Sequence, residues 1–121
     1  METNIQHQDP FQYAEVYISD MSALKNIFQQ TQNTGKVNPE FGIPFLLAKK
    51  KDEVMAFASL VINEKGGIAF KIYDKTTTQS SEKKSFIMRV ENYFKKNNTP
   101  NFRNPEQLKN SIYRMISWLN Q

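Results

Sequence analysis

The chain has no cysteine, and its only histidine is His7. The first absence excludes disulfides and thiolate nucleophiles; together the two remove the usual ligands of a structural zinc site. The second confines the side chain that most often serves general acid–base catalysis near neutral pH to one position near the N-terminus. Glycine is scarce at four residues and proline at five, which argues against a low-complexity chain. Long apolar runs are missing too. The longest near-continuous one, Val54–Ile62, has nine residues, under half a membrane span, so no membrane insertion is expected. The opening METNIQHQDP has neither a basic region nor an apolar stretch, so no secretory leader is expected. With no cysteine to oxidise, the cytoplasm is the expected compartment.

The 121 residues suffice for one domain with its own core. The apolar fraction is modest at 39%, but nine Phe, five Tyr and one Trp supply large rings to bury. Sixteen basic residues face twelve acidic ones, a net charge of +4. The excess is mostly lysine, which favours anionic partners mildly and falls short of an arginine-rich nucleic-acid footprint. No sequence-specific nucleic-acid binding is expected.

Hydrophobic periodicity divides the chain. Residues 1–10 read as a flexible tail, and residues 11–121 as a single α+β domain. Tyr13–Ile18 alternates as a strand, with Ala14, Val16 and Ile18 on one face. Ser19 or Asp20 can cap a helix whose stripe is Met21, Leu24, Ile27 and Phe28, with Gly35 as its stop. After a loop carrying Asn38-Pro39 and Gly42, three strands follow at Ile43–Lys49, Val54–Ile62 and Ile68–Tyr73. The charged turn Lys50–Glu53 and the Gly-containing turn Asn63–Gly67 join them into a meander. A helix from Ser80 or Ser81 to about Lys96 carries the stripe Phe86, Ile87, Val90, Tyr93 and Phe94. Asn97–Arg103 reads as a turn. Asn104-Pro105 then opens a last helix with the stripe Leu108, Ile112, Met115, Ile116 and Leu119. The expected fold is α+β: an antiparallel meander, in the order β-α-β-β-β-α-α, packed against three helices.

Few constellations carry chemistry. Lys49-Lys50-Lys51 could form an anion patch, but Asp52 and Glu53 follow at once and suit a soluble hairpin tip. Lys83-Lys84, Arg89 and Lys95-Lys96 could make a basic helix for single-stranded nucleic acid, but its aromatics fall on the apolar stripe. Phe102-Arg103 is the one adjacent aromatic–arginine pair expected to face solvent. Glu15 with Tyr17, and Glu40 near Phe41, could line a cleft, yet no paired-carboxylate motif accompanies them. No metal-ligand spacing is present, and no catalytic residue is nominated.

Lys75–Ser85 joins a strand to a helix, where a backbone cradle for phosphate can form. Within it, Gln79-Ser80-Ser81-Glu82-Lys83-Lys84, set after a three-stranded meander, resembles the cofactor loop of GNAT-type N-acetyltransferases. The element order over residues 13–96 resembles the first two-thirds of that family. The resemblance implies an acyl-CoA-dependent acyltransferase relative, with acetyl-CoA held at Gln79, Ser80, Ser81, Lys83 and Lys84. Gln79 matches the first position of the family's Gly-rich motif; Glu82 and Lys84 stand where its glycines belong. Asn110, Ile112 and Tyr113 faintly echo a later helix of the family.

The leading expectation is a small, non-catalytic, cytoplasmic binding or interaction module, monomeric rather than homodimeric, for a protein or small-molecule ligand. It needs no cofactor. The acyl-CoA-dependent transferase relative is the alternative, and a weak nucleic-acid binder the third reading.

Overall fold

A computed structural model describes residues 11–75 and 79–121. The expected tail, 1–10, and the middle of the Lys75–Ser85 linker, 76–78, lie outside the described residues. Four strands form one antiparallel sheet in sequence order: β1 (Gln12–Glu15), β2 (Ile43–Lys50), β3 (Glu53–Ile62) and β4 (Ile68–Asp74). Four helices accompany them: α1 (Met21–Gln32), α2 (Ser80–Lys96), the short α3 (Pro100–Arg103) and α4 (Pro105–Leu119). The α+β class and the meander are as the sequence implies. No helix among the described residues is long and apolar enough to cross a membrane.

The sheet is covered on both faces. On one, Met21, Leu24, Ile27 and Phe28 of α1 meet Leu47, Val54, Phe57 and Tyr73. On the other, Phe86 and Val90 of α2, Phe102 of α3 and Leu108 and Ile112 of α4 meet Leu46, Ala48, Ala56, Ala58 and Leu60. Residues 54–61 of β3 are therefore buried throughout, as a run that is apolar but for Ser59 should be on a doubly covered strand. Helix α4 passes from one core to the other: Ile112 sits in the second, Met115 and Leu119 reach the first, and Ile116 touches both. Pro44 is accommodated because β1 pairs only with Leu46–Lys49, so β2 is itself an edge at that residue. The register shifts just beyond it, between Pro44 and Leu46.

Four local expectations are corrected. The strand β1 ends at Glu15, and Tyr13, not Ala14, faces the core, because its ring stacks on Phe86 at 5.9 Å. Ile18 is exposed in a 3-10 turn preceding α1. α1 stops at Asn33, whose φ of 51° supplies the left-handed cap expected of Gly35. The segment 97–103, read as a turn, contains α3, and Phe102 is 8% exposed rather than solvent-facing. Its ring lies 5.1 Å from Phe45 and near Tyr93 and Phe94, so aromatic packing draws it inward.

Candidate functional site

Three turns converge beside the β3–β4 end of the sheet. In the first, Asn63 Oδ1 accepts the amides of Lys65 and Gly67, each at 2.9 Å, and Gly66 takes a φ of 81°. In the second, Asn38 Oδ1 accepts the Glu40 amide at 2.9 Å, Pro39 opens a 3-10 turn and buried Phe41 anchors it. Gly42 closes this turn at φ 65°, where a Cβ would lie 2.1 Å from the Leu60 carbonyl oxygen; only glycine fits. In the third, Asn104 Oδ1 accepts the amides of Glu106 and Gln107 and starts α4 behind Pro105.

Between these turns lies a groove of about 1020 Å³. Its floor is apolar, from Val61, Ile62, Ala69, Phe70 and Ile112, with Tyr113 beside them; its rim carries Glu40, Lys71, Glu64, Lys65, Glu106 and Lys109. The Lys71 ammonium donates to the Glu40 carboxylate, and the Tyr73 hydroxyl donates to the Glu40 carbonyl. Burial first, and the neighbouring Glu40 charge second, push the Tyr73 phenol above its usual range. That shift moves away from neutrality, the wrong direction for proton transfer at physiological pH. The groove thus sets an apolar floor under a rim of mixed charge.

A second, more open groove of about 1010 Å³ lies between β1 and α2. Its polar groups engage one another. Arg89 lies over the Tyr13 ring at 4.4 Å, and Tyr93 donates to Glu15 at 2.7 Å. Partial burial and the Glu15 carboxylate raise the Tyr93 phenol as well.

The nominated cofactor residues sit in the first turn of α2, with Gln79 as its N-cap and Ser80 and Ser81 exposed. Lys83 lies 3.5 Å from Asp74, and Lys84 is exposed. Glu82 receives the Gln79 amide at 3.3 Å and the Lys50 ammonium at 2.9 Å. The helix end that would meet a pyrophosphate is therefore already faced by the chain's own carboxylate. None of these residues lines either groove. In the lysine run, Lys49 lies 3.9 Å from Asp20 and Lys50 against Glu82. Asn110 is exposed on α4, while Ile112 and Tyr113 line the first groove.

Of the acids nominated for a cleft, Glu40 lines the first groove and Glu15 the second. Sequence reasoning missed Ala69, Phe70, Lys71 and Lys109. Only the Asn-Pro and Asn-Gly-type punctuation of the three turns hinted at them, and it does not reveal that the turns meet. Among the described residues, no group of three or more His, Asp or Glu could hold a metal ion. No family model, curated protein or solved structure matches the chain.

Proposed function

We propose that this domain is a non-catalytic binding module of the cytoplasm that holds its ligand in the groove bordered by the Glu40 turn, the β3–β4 turn and the start of α4. The observation that carries this reading is the groove's make-up: an apolar floor of roughly ligand size beneath charges of both signs. Its best-defined charge pair, Glu40 with Lys71, is exposed and on the surface, so a ligand can exchange for either member at little cost.

The acyl-CoA reading leans on the first turn of α2, where Glu82 already accepts the Gln79 amide and Lys50 and Lys83 lie against acids. The nucleic-acid reading leans on the lysine surface, where Lys49, Lys50, Lys71, Lys75 and Lys83 each lie against a carboxylate. Such pairing weakens the field a polyanion would feel. Both therefore rank below the binding module.

The test is protein-observed NMR with a library of water-soluble aromatic and aliphatic fragments. Hits should shift the amides of Ala69, Phe70, Lys71, Ile112 and Tyr113 together, and Phe70→Ala should weaken them. Shifts scattered over the surface, or clustered at Gln79–Lys84, would remove this reading.

A further inference from the structure

The outer edge of β4 is open. Lys75 donates its amide to the Met55 carbonyl and Asn63 to Gly67, both at 2.9 Å, so the odd-numbered residues of β4 form the hydrogen-bonded pairs with β3. The amides and carbonyls of Ile68, Phe70, Ile72 and Asp74 consequently point away from the sheet. Among the described residues, β4 pairs with β3 alone and no backbone group reaches those positions. A row of unpaired donors and acceptors at every second residue is the recognition surface for one chemistry, an added β-strand.

The groove meets this edge at Phe70, and β4 contributes to it from both faces of the sheet: Phe70 on the side of Ile112, Ala69 and Lys71 on the side of Glu40. Alternate side chains of a strand point to opposite faces. A strand added to β4 would thus set one residue toward the apolar wall and the next toward Lys71. A copy of β4 suits this poorly. In the two-fold pairings open to it, Lys71 meets Ala69, another Lys71 or Tyr73, and never an acid, because Asp74 lies on the other face of the strand. An acidic residue there would replace Glu40 as the lysine's partner.

We infer that the ligand of this module is an extended segment of another protein, which adds to β4 as a strand with an acidic residue opposite Lys71 and apolar residues on either side of it. This rests on the groove being the binding site, and it names the partner.

The probe is a phage-displayed library of random linear peptides, panned on the full chain. Selected sequences should share an apolar–acidic–apolar run free of proline. The strongest, made synthetically, should slow amide exchange at Ile68, Phe70 and Ile72. Ile72→Pro removes an amide that points outward and leaves the β3 ladder intact, so binding, measured below the variant's own melting temperature, should weaken about tenfold. Should that variant fail to fold, N-methylation of the peptide's alternate amides must abolish binding to the unaltered chain. No selected sequence, unprotected edge amides, or undiminished binding of the N-methylated peptide would overturn the inference. So would dimerisation of the chain blocked by Ile72→Pro, which would make a second copy the occupant. Fragment binding at the groove without peptide binding at the edge would leave the module standing and remove only its partner; loss of both would remove the module as well.

Discussion

Gly42 and Gly66 both hold left-handed backbone, yet they are not equivalent. A Cβ at Gly66 meets nothing within 4 Å, whereas at Gly42 it meets the Leu60 carbonyl oxygen at 2.1 Å and a Val61 methyl at 2.8 Å. Gly66→Ala should therefore cost only the left-handed penalty, about 1–2 kcal/mol. Gly42→Ala adds displacement of a central strand and should cost about 3 kcal/mol or more. Urea unfolding of the pair separates the two effects, and equal losses would contradict the geometry. Ser59 presents the opposite case. It is the one fully buried polar side chain among the described residues, and its hydroxyl has no hydrogen-bond partner. Ser59→Ala should raise stability by about 1 kcal/mol, because an unpaired hydroxyl disappears and almost no volume is lost. A fall in the urea midpoint would mean that the hydroxyl has a partner.

Among the described helices, α4 alone packs against both cores. Its stripe supplies Leu108 and Ile112 to one core and packs Met115 and Leu119 against the other. Leu108 is fully buried and lies outside the groove. Leu108→Ala should cost about 2–5 kcal/mol, as large-to-small core changes do. The unfolding midpoint should stay independent of protein concentration; a midpoint that climbs with concentration would mean that α4 docks between chains. The stripe, the Asn104 cap and the Pro105 start were legible because helix periodicity and capping are local. So were the three strands of the meander, with their period of two and their turn residues. The short α3 was not, because Phe102 is drawn inward by the Phe45 ring of β2, far off in sequence, and by rings at the end of α2. The inward face of Tyr13 was hidden for the same reason: Ala14, Val16 and Ile18 look like the apolar side until Phe86 is known to lie opposite. Of the groove, Glu40 stood out as a cleft residue and Ile112 and Tyr113 only for other reasons, since three distant segments build it and no local pattern records their meeting.

At the scale of the molecule, the core beneath α1 carries a titratable group, Tyr73. This side chain touches Phe28, Phe57 and the Glu40 turn at once. Its phenol is raised above the ordinary value of 10.0 in the folded state, chiefly by burial. Below pH 10 both folded and unfolded chains keep that proton, and its contribution to stability is complete. As pH rises past 10 the unfolded chain releases it first, so stability falls by up to about 1.4 kcal/mol per pH unit for this group. Tyr73→Phe should flatten the alkaline limb of the stability curve by as much as one proton. An alkaline slope identical in the two proteins would place the titration elsewhere.

The ends of α1 and α4 are also tied. Asn120 grips Val37 from both sides, receiving its amide at 3.1 Å and donating to its carbonyl at 2.8 Å, and Lys25 donates to the Leu119 carbonyl at 2.7 Å. The partners are 83 and 94 residues apart. On the ribosome this has a temporal meaning. The loop after α1 is synthesised early, yet its backbone waits for 83 more residues before its partner arrives. Until then the first core lacks one of its walls, and the nascent chain carries an unfinished seam that seals when the last turn of α4 is released.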